Sequence, residues 1–157
     1  MIKAILILPF NVLVVVPFLV LYFIRFERVG FDTWNFAMSC VLAILALCIM
    51  IWTMILFKTK GEGTPAPWNP PQKLVVEGPY KYVRNPMLLG VFVFLLSEVI
   101  FFDSFALLVY WLAFVMANAF YFPFSEEKAL EKRFGDDYLE YKRNVPRYIP
   151  RLTPWNK

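Results

Sequence analysis

MLLGVFVFLLSEVIFFDSFALLVYWLAFVMANAFYFPF, residues Met87 to Phe124, decides the fold. Two apolar runs, Met87 to Phe102 and Phe105 to Phe124, are separated only by Asp103 and Ser104. A helix of roughly 20 apolar residues crosses the hydrocarbon core of a bilayer, so this stretch reads as a tight helical hairpin. Toward the N-terminus, Trp34 to Phe57 forms another such run, followed by Lys58 and Lys60. Ile5 to Ile24 forms a first run, and Pro9, Asn11 and Pro17 within it predict a kink. The first run reads as a retained helix rather than a cleaved signal peptide. It is long, and Arg25, Phe26, Glu27 and Arg28 follow it in place of a small-residue cleavage site. The fold class is therefore all-α. We expect a polytopic membrane protein with one integral-membrane domain over residues 1–157 and four transmembrane helices at 5–24, 34–57, 87–102 and 105–124.

Composition agrees. A chain of 157 residues that is 60% hydrophobic and 19% aromatic, with its charge confined to a few clusters, is not built like a soluble globular domain. Its core would come from helices packing on one another in lipid. The net charge of +4 is unevenly placed, so it speaks to topology and not to a nucleic-acid partner. There is no histidine, which removes the commonest metal ligand and general base together. Cys40 and Cys48 lie eight residues apart on one helix, roughly 12 Å along its axis. That is too far for a disulfide, so they read as packing residues and no metal site is expected.

The polar stretches carry the remaining signal. Residues 58–86 form a loop in which Pro65, Pro67, Pro70 and Pro71 forbid a regular helix. Its backbone belongs outside the lipid or behind a protein shield. Lys58, Lys60, Lys73, Lys81 and Arg84 outnumber Glu62 and Glu77 there, and the tail carries Lys128, Lys132, Arg133, Lys142, Arg143, Arg147, Arg151 and Lys157. The excess of Lys and Arg places both on the cytoplasmic side. Four spans then put Lys3 and the N-terminus there too, so both termini are expected to be cytoplasmic. The tail over 125–144 reads as a single amphipathic helix with Ser125 as its N-cap and Glu126 and Glu127 at the positive end of the dipole. Leu130, Phe134, Tyr138 and Tyr141 make its apolar stripe. Glu127 falls near the centre of that stripe and needs a partner, because a buried lone carboxylate is costly.

GPYKYVRNPMLLG (78–90), followed after the hairpin by EEKALEKRFGDDYLEYKRNVPRYIP (126–150), resembles the integral-membrane methyltransferases of the isoprenylcysteine carboxyl methyltransferase and phospholipid methyltransferase type. The likeness runs from Gly63 onward. It rests on the G-P-Y, R-N-P and E-E elements, the F-G-x-x-Y-x-x-Y pattern and the late V-P, in that order. The resemblance implies methyl transfer from S-adenosylmethionine to a lipophilic acceptor that reaches the site from the bilayer. It also implies cofactor contacts at Lys73, Leu74, Val75, Tyr80, Asn85, Pro86, Met87, Leu88 and Glu126, with Glu127 as second member of the acidic pair.

The residue types suit that ligand on their own chemistry. Its ammonium and ribose diol want a carboxylate, its carboxylate wants basic or backbone donors, and its sulfonium wants aromatic faces or carbonyls. Glu126, Glu127, Arg84, Lys73, Tyr80 and Tyr82 supply these groups. No catalytic acid or base is assigned, because an in-line methyl displacement depends on alignment and water exclusion. Two positions depart from the family. Asn85 stands where many relatives have histidine, and its amide still donates and accepts. Phe122 stands where carboxyl methyltransferases carry a substrate-binding arginine, which turns the acceptor-side expectation at Phe122 and Asn118 from a carboxylate toward an amine or thiol.

Other readings stay open on the sequence. Taken singly, Arg84 and the lysines could anchor headgroups, the glutamates could be first-turn helix residues, Tyr138 and Tyr141 could be interfacial packing, and Asn118 could be an interhelical hydrogen bond. Glu98, near the far end of its helix, is expected to reach the interface and is given no role. The family pattern favours Glu126 as the cofactor carboxylate, whereas the stripe favours Glu127 as the buried one. A membrane reductase using NADPH and a non-enzymatic scaffold are the rival functions. A homo-oligomer, or a partner that completes the acceptor tunnel, is also compatible with a chain of this length among membrane lipids.

Overall fold

The computed structural model describes residues 10–24, 33–64 and 70–156. Residues 5–9 of the expected first helix, and Pro65 and Pro67 of the loop, lie outside these. All regular elements among the described residues are helical, with no strand.

The first run is a π-helical turn, Asn11–Val15, leading into helix α1, Val16–Phe23. Pro17 has no N–H to give the carbonyl of Leu13, so the expected kink takes the form of a widened turn just before it. Helix α2, Thr33–Thr59, has 27 residues, and at 1.5 Å per residue extends about 40 Å. Helix α3 is Pro86–Phe102 and helix α4 is Phe105–Phe124. The link between them is as short as the sequence implies, with Asp103 at φ 46° and the Ser104 hydroxyl accepting the Leu107 N–H at 3.4 Å. Among the described residues, two helical runs are long and apolar enough to cross a membrane, Thr33–Thr59 and Phe105–Phe134. The apolar part of the second ends with α4.

The tail differs from expectation. It is two helices, α5, Glu126–Phe134, and α6, Asp136–Asn144, broken at Gly135. Gly135 has φ 56° and ψ −131°, a conformation that a side chain disfavours, and it ends one helix and begins the next. Ser125 occupies the N-cap position, but its side chain makes no capping hydrogen bond.

The chain divides into two compact units, Met1–Cys48 with Gly90–Ala117, and Ile49–Leu89 with Asn118–Lys157. In the first, Ser39 and Ser97 return their hydroxyls to the carbonyls of Phe36 and Phe94, which satisfies a buried polar atom locally. The Tyr110 hydroxyl donates to the Val12 carbonyl at 3.0 Å, and the Trp111 indole N–H donates to the Phe92 carbonyl at 2.9 Å. Trp34, Val41, Ile44, Leu45 and Phe105 are exposed, as suits helices solvated by lipid. Glu98 is half-buried. Its Oε2 is buried with no hydrogen-bond partner among the described residues.

The second unit holds the polar loop. Here the chain leaving α2 turns back on itself. The N–H groups of Gln72 and Lys73 donate to the Gly61 carbonyl at 2.8 and 3.2 Å, and the Gly63 N–H donates to the Phe57 carbonyl at 3.1 Å. A Cβ on Gly63 would stand 2.6 Å from Pro71 Cα, so only glycine permits this neck. Leu56, Val75 and Tyr80 form one small core beyond it, with Phe57 packed against them.

Candidate functional site

The G-P-Y segment is a 3-10 turn, Gly78–Lys81. Gly78 has φ +55°, and a Cβ there would meet Trp52 Cζ2 at 3.0 Å and Leu56 Cδ1 at 3.2 Å. Glycine is thus required for both conformation and space. The turn buries Tyr80, whose ring stacks on Phe57 at 5.3 Å while its carbonyl accepts the Tyr141 hydroxyl at 2.7 Å. Tyr138, Tyr141 and Val145 make a second core, packed by Leu74, Val76, Leu130, Phe134 and Trp155. Burial holds the phenols of Tyr80, Tyr138 and Tyr141 above their ordinary range, so all three stay neutral.

The R-N-P triplet is a helix start. Asn85 Oδ1 accepts the Leu88 N–H at 3.1 Å, and Pro86 opens α3, where its missing N–H costs nothing. Just before it, Arg84 enters the most buried polar cluster of this unit. Its Nη2 lies 3.2 Å from Glu127 Oε1, and its Nη1 donates to the Lys142 carbonyl at 3.4 Å. Arg147 grips Glu127 with both arms, Nε to Oε1 at 2.8 Å and Nη2 to Oε2 at 2.8 Å. Lys142 Nζ stands 3.3 Å from Oε2 and also pairs with Glu131. Glu127 is 0% exposed. Burial pushes its carboxyl up, but the hydrogen bonds from Arg147 and Lys142 and the charges of Arg84 and Arg147 outweigh it and hold the group below the usual carboxylate range. The same contacts raise Lys142 and Arg147, chiefly through Glu131 and Glu127 respectively. Arg84 Nε and the Tyr138 hydroxyl are buried in this region without hydrogen-bond partners among the described residues.

Beyond α6, residues 145–156 run as a strap antiparallel to the loop. The Arg84 N–H donates to the Pro146 carbonyl at 2.9 Å, the Arg151 N–H to Tyr82 at 3.0 Å and the Trp155 N–H to Lys81 at 3.0 Å. An open groove of about 480 Å3 beside it is lined by Val76, Glu77, Gly78, Lys81, Trp155 and Asn156. Its charged groups are already engaged, Glu77 with Lys60 and Lys81 with Asn156.

The sequence-predicted residues therefore separate into kinds. Arg84 and Glu127 are in direct contact, and Asn85, Pro86, Met87 and Leu88 form the adjoining helix start. Val75 and Tyr80 are buried together, while Leu74 packs on the tyrosine core. Lys73 points to solvent in an exposed pair with Glu62. Phe122 is buried and Asn118 half-buried, its carbonyl accepting the Tyr148 hydroxyl at 3.4 Å. Glu126 is exposed and makes no ion pair or hydrogen bond with any described residue, and desolvation by the surrounding protein raises its carboxyl. The residues that sequence reasoning missed are Lys142 and Arg147. The need of Glu127 for a cation was legible, but nothing in the spacing pointed to these two.

Residues 34–137 match the family described as phospholipid methyltransferase. The chain is also 40% identical over 76 residues to methanethiol S-methyltransferase 2 of Bradyrhizobium diazoefficiens, a match covering 46% of this chain and 27% of that protein. The chain thus aligns with about a quarter of the length of that relative.

Proposed function

The chain belongs to the phospholipid methyltransferase family, and from that premise we propose that it transfers a methyl group from S-adenosylmethionine to a lipophilic, membrane-partitioned nucleophile. The observation that carries this reading is the opposite fate of two adjacent carboxylates. Glu127 is consumed by three cations, whereas Glu126 has no partner among the described residues and stays available to a ligand ammonium or ribose diol. The Glu126 carboxylate, the donors of Asn85 and the backbone at the start of α3 fit the polar groups of the cofactor. When bound, the cofactor supplies an electrophilic methyl group on a sulfonium.

The chain's own residues orient and exclude water. Glu126 takes the cationic or diol end, and Asn85 with the first turn of α3 fixes the opposite polar end. Tyr80, buried and neutral, lends an apolar wall. Phe122, buried where a carboxylate-binding arginine would stand in carboxyl methyltransferases, disfavours a carboxylate acceptor. A thiol leads, in keeping with the name of the methanethiol S-methyltransferase relative, and the amine of a phospholipid follows from the family name. Either nucleophile arrives deprotonated or yields its proton to water or a carboxylate, so the lack of histidine is no obstacle.

Titration of the purified, detergent-solubilised chain with S-adenosylhomocysteine tests the reading, with NADPH run alongside. Saturable binding of S-adenosylhomocysteine, abolished in Glu126→Ala with folding kept, is the expected result. Binding of NADPH in its place would turn the chain into a reductase, and binding of neither by folded protein would leave the scaffold reading.

A further inference from the structure

The Glu127 cluster joins four stretches of chain: α5 through Glu127, the loop through Arg84, α6 through Lys142 and the strap through Arg147. Among the described residues, Arg147 alone engages both carboxylate oxygens, each at 2.8 Å. Such a forked, charge-assisted contact fixes orientation as well as distance. Its own placement is set by backbone, because Pro146 is bonded to Arg84 and Arg151 to Tyr82 on either side of it. The two most buried side chains of the cluster, Arg84 and Glu127, each directly adjoin a proposed ligand contact. Arg84 precedes Asn85, and Glu126 precedes Glu127.

We propose that Arg147 is a positioning residue for cofactor binding: through its fork on Glu127 it sets the spacing between the Asn85 end and the Glu126 end of the site without touching the ligand. The inference rests on the cofactor reading above. The geometry of the fork, more than the positive charge, does the positioning. Lysine at 147 keeps the charge but offers only a point contact.

The test compares wild type, Arg147→Lys, Glu126→Gln and the double variant, each titrated with S-adenosylhomocysteine and each melted without ligand. Arg147→Lys is expected to melt close to wild type yet bind roughly tenfold or more weakly. In the Glu126→Gln background that loss should shrink, because the contact being positioned is already impaired. Equal binding by Arg147→Lys and wild type overturns the inference. So does a weakened Arg147→Lys whose unliganded melting falls in parallel and whose loss adds fully to that of Glu126→Gln, since it then only holds the fold together. If Arg147→Lys cannot be purified folded, Lys142→Gln removes a more exposed member of the cluster and carries the same expectation at smaller size, with unchanged affinity equally decisive against it. A wild type that binds no S-adenosylhomocysteine ends the cofactor reading itself, and this inference with it, whatever the variants do.

Discussion

In the unit built from residues 1–48 and 90–117, the paired polar side chains act one at a time: a serine bonds three residues back, and a tyrosine or tryptophan reaches a single carbonyl, Tyr110 across 98 residues. In the unit built from 49–89 and 118–157, one carboxylate is shared by three cations drawn from stretches up to 43 residues away, Arg84 to Glu127. The first arrangement is a sum of small independent terms, and the second is a single network in which each member depends on the others. The difference matches their chemistry. Apolar helices need only unobtrusive backbone bonds in lipid, whereas a buried charge is tolerable only when its partners are complete.

The strongest way to break this contrast is Glu127→Ala, which strands buried Arg84 and should destabilise the chain by about 3–5 kcal/mol in detergent, read by thermal melting. A loss under about 1 kcal/mol would mean that the network is not cooperative. Next comes Gly78→Ala, which forces a side chain onto φ +55° and against Trp52. A cost of about 2 kcal/mol is expected, with weakened S-adenosylhomocysteine binding. The contrast sharpens with pH. Glu126 has a raised pKa in the free protein, and a ligand ammonium favours its ionised form, so affinity should fall about tenfold per unit once pH drops below that raised value. Glu127 has a folded pKa below its unfolded one. Its stabilisation is full above the ordinary value of 4.5 and is lost as pH falls from there toward the folded pKa. Binding should therefore fail at higher pH than the fold does, and coincident acid transitions in titration and melting would refute the separate roles. Smallest of all, Ile44→Ala on the exposed face of α2 should shift stability by no more than about 0.5 kcal/mol.

Sequence reading went furthest where the signal was periodic or local. The two runs of the hairpin end where α3 and α4 end, because apolar length and a two-residue break leave little freedom. The stripe of Leu130, Phe134, Tyr138 and Tyr141 survives as a shared core although the helix carrying it is broken, and it correctly implied a partner for Glu127. Gly135 followed by Asp136 and Asp137 is a helix stop and start that could have been read from composition alone. Arg147 could not. It reaches Glu127 by way of the strap, whose register is set by backbone bonds to the loop and leaves no side-chain period. The R-N-P triplet was legible as a family mark, but its physical role, asparagine capping a helix that proline begins, emerged only with the Asn85 to Leu88 hydrogen bond.

The neck at Gly61 and Gly63 has a practical use. Since Gly63 already lies against Pro71, an insertion between these two positions has its ends fastened, and lengthening a loop closed in this way adds only about 0.6 kcal/mol per doubling. A short epitope or protease site spliced between residues 63 and 70 would thus hang from a fixed mount. Antibody or protease applied to one side of a sealed vesicle would then read out which way the chain faces.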